Sequence, residues 1–180
     1  DKKISLEKID KNGGKGDSQN NCVNDEYRLD LQNEKWYIFN DNYGTSEEKL
    51  FVKYFKTSIE PKLQAKDKDL EYYVVRNERV HDLAIYSFEA GERFEPDFLL
   101  FVRKKKTEGS ITYQGYAEPK GSHLLKQDLW KEDFSLQIEE NHTTGGILAE
   151  DYKIIGFPFF NKEERMKEFE AAIKKWLEKI

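Results

Sequence analysis

The sequence predicts an α/β domain, a mixed central β-sheet flanked by α-helices. Three observations carry this. Hydrophobic periodicity runs in the order helix, several strands, helix, strand, helix, which is the pattern of a sheet with helices on its faces. Phe98 to Val102 is apolar on both alternations, as expected of a central strand covered on both sides. Two apolar runs flank Arg103 to Ser110, a polar segment with four consecutive basic residues, a Gly and a Ser, so the pair reads as a β-hairpin.

Taken in order, residues 1–26 are rich in Lys, Asp, Asn and Gly without hydrophobic periodicity and read as a linker or tail, leaving 27–180 as the domain. Tyr27 to Phe39 holds two short strand-like pieces, the second Trp36-Tyr37-Ile38-Phe39, and Asn40 to Gly44 is turn chemistry. Thr45 or Ser46 then caps a helix. Thr45 with Glu48 three residues on makes a capping box, and Leu50, Phe51, Tyr54, Phe55 and Ile59 form the buried stripe. Pro61 closes this helical region. Leu70 to Arg76 and Leu83 to Phe88 read as strands, followed by the hairpin. Residues 124–140 carry Trp130, Phe134 and Ile138 at i, i+4 and i+8 and read as helical, in one or two pieces. Asn141 to Gly146 is a loop, and Tyr152 to Phe157 is a strand stopped by Pro158. Asn161 caps the last helix, whose stripe is Met166, Phe169, Ile173, Trp176, Leu177 and Ile180.

Composition narrows the function classes. A chain of 180 residues is long enough to bury a core, and 14% aromatic content argues against disorder despite 36% charged residues. The net charge of −5 and pI near 5.4 do not suit an autonomous nucleic-acid binder, so such affinity must be local or supplied by other parts. The single cysteine, Cys22, excludes an internal disulfide and a Cys-based zinc cluster and fits a reducing, cytoplasmic setting. No run approaches the roughly 18 apolar residues of a membrane span, and no signal peptide is visible. The chain begins at Asp1, and its only methionine is Met166, which points to an excised domain or a processed piece of a longer protein.

The hairpin places chemistry at its open end. Asp97 starts the first run; Glu118 and Lys120 end the second. Their midpoint falls between Thr107 and Glu108, in the turn. Without a bulge, residues equidistant from the turn lie opposite each other with Cβ atoms about 5 Å apart. Glu118 and Lys120, two apart, share a face. Two carboxylates and an amine therefore converge. Carboxylates that converge with room for water are ligands for a hard divalent cation, and Mg²⁺ usually takes only one or two of them. A lysine beside that cation can orient a water or neutralise charge on a phosphate. The competing reading is a structural salt bridge on the sheet rim.

Pro96-Asp97 with Glu118-Pro119-Lys120 resembles the PD-(D/E)xK signature of restriction-endonuclease-like nucleases. With Thr45 to Phe55, Arg76-Asn77-Glu78, Phe94 to Phe98, Tyr113 to Gly121 and His123-Leu124, the pattern over about residues 45–160 looks like the C-terminal nuclease domain of the restriction subunit of type III restriction–modification enzymes. The resemblance implies a Mg²⁺-dependent endonuclease that cuts double-stranded DNA in phage defence. Asp97 and Glu118 would hold the metal, with the Pro119 backbone carbonyl, and Lys120 would position the attacking water. It also implies a first-helix glutamate. Glu48, with Phe51 and Val52 at +3 and +4, matches the pattern better, whereas Glu47 lies more squarely above Leu50, Phe51 and Tyr54; Glu48 is preferred, with Glu47 the alternate. The implied partners are a helicase-like ATPase motor in the same polypeptide and a modification methyltransferase subunit.

Other residues carry less. His123 either touches a scissile phosphate or caps the following helix. Gln114 shares a face with Glu118 but lies four residues back, so it reads as structural. Arg103 to Lys106 reads as a solvated turn. The three histidines have no metal-ligand spacing, and there is no Gly-rich phosphate loop. Two alternatives stay open: a catalytically inactive module of the same fold docked to a motor, and a nuclease of this fold from another defence or repair system.

Overall fold

A computed structural model of the chain describes residues 17–77, 85–86, 93–138 and 151–180. The expectations for residues 1–16, for most of the turn and strand over 78–92 and for the loop over 139–150 lie outside the described residues. The chain is an α/β fold with a four-stranded mixed sheet in the order β1-β4-β5-β6. These strands are Glu71–Arg76 (β1), Phe98–Lys105 (β4), Ser110–Ala117 (β5) and Tyr152–Gly156 (β6). Ile85–Tyr86 (β2) and Arg93–Phe94 (β3) make a separate two-stranded ladder. The helices are Ser46–Tyr54 (α1), Glu60–Lys66 (α2), Leu129–Leu136 (α3) and Met166–Lys179 (α4). Among the described residues, no helix is long and apolar enough to cross a membrane.

The hairpin register follows from the sequence. Phe98 pairs with Ala117, and every pair out to Lys105 and Ser110 keeps that alignment, with no bulge. The turn is tighter than expected. Lys106 N donates to the Gly109 carbonyl at 3.1 Å, and Gly109 has φ +79°, a conformation that favours glycine. Arg103, Lys104 and Lys105 therefore belong to β4 rather than to the turn, while Arg103 and Lys105 remain solvated as expected. Arg103 and Lys105 reach Glu71 at 3.5 and 3.6 Å, and Lys104 Nζ donates to the Ile180 backbone oxygen at 2.6 Å.

β4 is central, between antiparallel β1 and β5, with β6 parallel to β5. One face carries Phe98, Leu100, Val102, Val74, Tyr113 and Ala117 into the core, where α1 and α4 cover it. Phe51 stacks against Phe98 with ring centres 4.8 Å apart, and Trp176 meets Phe157 at 5.3 Å. The α4 stripe is buried as expected at Phe169, Ile173, Trp176 and Leu177, with Ile180 beside it. The opposite face is covered at β6 by α3, whose Ser135 lies against Gly156.

Four points differ from the sequence pattern. The helix does not stop at Pro61: a π-helical turn, Phe55–Ile59, leads into α2 with Pro61 in its first turn. Glu60 N already bonds Phe55 O, so the missing proline N–H falls at the start of a new hydrogen-bonded segment. Trp36 to Phe39 is not a strand; Tyr37 makes a single bridge to Val74. Trp130 points outward and is 41% exposed, because α3 approaches the sheet through its small Ser135 and through Glu132, which accepts from Phe159 N at 2.8 Å. Finally, residues 17–26 are no free linker. Gln19 is fully buried and bonds the Tyr27 and Lys49 carbonyls and Asn42, while Ser18 pairs with Tyr43. A buried amide with every bond made is what ties this polar segment down.

Candidate functional site

One step beyond the last hairpin pair, Asp97 and Glu118 meet as the register requires. Asp97 N donates to Glu118 Oε2 at 3.0 Å. Beyond Ala117 the chain leaves β5 and runs beside Phe160. The Glu118 carbonyl accepts from Phe160 N at 3.0 Å, and Lys120 N donates to Phe160 O at 2.9 Å. This pattern uses the carbonyl before Pro119 and the amide after it, so the missing proline N–H costs nothing. Among the described residues no donor takes the Pro119 carbonyl. Asn161, read from sequence as a helix cap, does two jobs. Its Oδ1 accepts from Glu163 N and Glu164 N at 3.0 and 2.7 Å, capping a turn ahead of α4, so the helix itself starts later, at Met166. Its Nδ2 donates to the Lys120 carbonyl at 2.8 Å and fixes the end of the motif.

Lys120 is held on two sides, with Nζ 3.0 Å from Glu118 Oε1 and 2.8 Å from Asp128 Oδ2. Burial pulls its pKa down, but Glu118 and Asp128 outweigh burial and raise it, so the amine stays protonated. Asp128 is lowered, chiefly by its hydrogen bond from Lys120. Nothing in the pattern eight residues past Lys120 marks Asp128; a 3₁₀ turn, Ser122–Leu124, brings it back.

Glu48 enters from α1. The capping box at Thr45 is present, with Thr45 N donating to Glu48 Oε2 at 2.8 Å. The same oxygen receives Arg76 Nη2 at 3.3 Å from the end of β1, and Arg76 Nη1 donates to the Tyr43 carbonyl at 2.5 Å. Gly44 makes room: a Cβ there would strike the Glu48 carboxylate and lie 2.9 Å from its Cβ. Glu47 points elsewhere, toward Lys162, Glu163 and Glu26, where burial raises its pKa. Arg76, which the resemblance includes without a role, is thus a neighbour of the site, and its signal in the sequence is a charge at the end of an apolar strand.

Asp97 is the least satisfied of these groups. Among the described residues no hydrogen-bond donor reaches its carboxylate. Burial pushes its pKa well up, and the charges of Glu118 and Glu48 push further, against the smaller opposing pull of Lys120 and Arg76. Burial also raises Glu118. Among the described residues no three His, Cys, Asp or Glu side chains form a ready-made metal group. Mg²⁺ needs only one or two carboxylates, with substrate and water supplying the rest. The donorless Asp97 carboxylate, Glu118 and the open Pro119 carbonyl fit that requirement. His123 is exposed in the 3₁₀ turn, and among the described residues no hydrogen bond or ion pair joins it to Asp97, Glu118 or Lys120.

An uncharacterized protein of Haemophilus influenzae is 34% identical over a 149-residue alignment that covers 77% of this chain and 31% of that relative. The chain thus spans about a third of the relative's length. No solved structure matches. A family model described as a C-terminal domain, HI_1054_C, matches residues 15–178, nearly all of the folded chain, and to that family of C-terminal domains the chain belongs.

Proposed function

We propose that this chain is a Mg²⁺-dependent endonuclease domain of restriction-endonuclease-like fold, hydrolysing DNA phosphodiesters in a type III restriction–modification system. The observation that carries the reading is Asp97: a half-buried carboxylate with no donor among the described residues, under the charge of Glu118 and Glu48, at the hairpin end that also bears Lys120. Asp97 and Glu118 with the Pro119 carbonyl would hold the metal, with Glu48 in reach of the same charge. Bound Mg²⁺ supplies Lewis acidity to the phosphate and lowers the pKa of a water. Lys120, kept charged by Glu118 and Asp128, donates to the attacking water or to a phosphate oxygen. Phe159 backs its amine, with Nζ 5.9 Å from the ring centre.

The net charge of −5 fits a domain delivered to double-stranded DNA by other parts, namely a motor in the same polypeptide and a modification subunit, in the cytoplasm. The test is cleavage by the full enzyme with ATP and Mg²⁺. Asp97→Ala and Lys120→Ala are each expected to lower the rate by about 100-fold or more. Cutting at the wild-type rate by both variants rules the reading out. A second reading, an inactive module of the same fold, is favoured by one observation: both Glu118 and Asp128 already engage Lys120. It predicts no Mg²⁺-dependent cleavage by the wild type.

A further inference from the structure

Resting on the metal site just proposed, the inference concerns how that site is balanced before a metal binds. Glu118 has Lys120 as its cation; Glu48 has Arg76. The Arg76–Glu48 pair is mostly buried, with side chains 15% and 12% exposed. The guanidinium meets Glu48 at 3.3 Å, on the oxygen that Thr45 N also holds, and its other terminal nitrogen is anchored on the Tyr43 carbonyl. Arg76 directly precedes the residue whose N–H bonds the Asp97 carbonyl at 2.7 Å, so its backbone is locked to the site while its contact with Glu48 is long and shared. A guanidinium presents five donors in a fork suited to phosphate oxygens.

We propose that Arg76 is a stand-in cation for Glu48 and a phosphate-binding residue: it leaves Glu48 when a divalent cation binds and takes a non-bridging oxygen of the phosphodiester. Metal and phosphodiester then bind with positive linkage, each strengthening the other by the same factor. The arrangement also keeps Glu48 from standing as an unpaired buried carboxylate in the metal-free protein, which would be costly.

The test titrates Mg²⁺ into the metal-free 180-residue chain by calorimetry, with and without a phosphorothioate dinucleotide. Asp97→Asn is expected to weaken binding at least tenfold. Arg76→Gln, lacking the competing cation, is expected to bind Mg²⁺ about five-fold tighter and to lose the gain that the dinucleotide gives the wild type. Arg76→Lys, keeping the charge, stays near the wild-type Mg²⁺ affinity. In the wild type, the Arg76 guanidinium NMR signal is expected to shift on adding Mg²⁺ and to return with chelator, a readout that holds even if Arg76→Gln folds poorly. Mg²⁺ binding that is lost in Asp97→Asn but unchanged in Arg76→Gln, or an Arg76 signal that stays still at saturating Mg²⁺, overturns this inference alone. Absence of Mg²⁺ binding by the wild type removes the metal reading and this inference together.

Discussion

Both ends of the β4–β5 hairpin carry charge, and they handle it in opposite ways. Toward the turn, at the end of β4, Arg103 and Lys105 share Glu71 with side chains 38–67% exposed, and Lys106 meets Asp151 at 2.8 Å. Such pairs are solvated and contribute about 0–1 kcal/mol each. At the open end, Glu118, Lys120, Asp128, Glu48 and Arg76 are 8–17% exposed, so every unmade contact is felt. The residue types are the same; burial is the difference. It turns a rim of ion pairs into a cluster in which Asp97 finds no donor among the described residues, and the proposed cation site rests on that imbalance.

Breaking the support of the buried end is expected to have the largest effect on stability. Gly44→Ala pushes a methyl group into Glu48, which must give up Thr45 N or Arg76. A loss of about 1–3 kcal/mol is expected in urea unfolding. If stability is unchanged, the close approach is not a constraint.

Asp97→Asn sharpens the comparison from the other side, because it should stabilise the metal-free protein while removing the proposed cleavage. The sign follows from burial and from the neighbouring carboxylates. The folded carboxyl has its pKa raised above the unfolded one, so folding favours the protonated form, and ionisation above the folded pKa penalises the native state. Stability from this group is therefore recovered as pH falls through the folded pKa toward 3.8. Near pH 8 the Asn variant should be the more stable of the two, and it should lose that advantage as the pH approaches the unfolded value. Melting temperatures in chelator from roughly pH 4 to 8 check this. A variant less stable than wild type at pH 8 contradicts it. The smallest effect belongs to the turn: Lys106→Ala should change stability by less than about 0.5 kcal/mol, and less still in high salt.

Much of this was legible in residues close along the chain. The Thr45–Glu48 box, the stripe from Phe169 to Ile180 and the meeting of Asp97 with Glu118 each follow from a short-range rule of capping, helical period or hairpin symmetry. The preference for Glu48 over Glu47 rested on a family pattern and not on a local rule, since the two differ by one step of helix rotation and the packing of α1 on the sheet decides which acts on Asp97. The outward turn of Trp130 likewise depends on Ser135 finding Gly156 across the sheet.

By itself, then, the sequence determined the α/β order, the hairpin register and the carboxylate pair, because those depend on periods of two and of about 3.6 residues and on a single turn. Only the tertiary structure decided that Arg76 sits on Glu48, that Asp128 holds Lys120, that Gln19 ties an apparent tail into the core and that the helix runs on past Pro61. Apart from the Pro61 join, these are contacts between separate elements, formed when burial makes leaving a charge or amide unpaired more costly than ordering the chain to pair it.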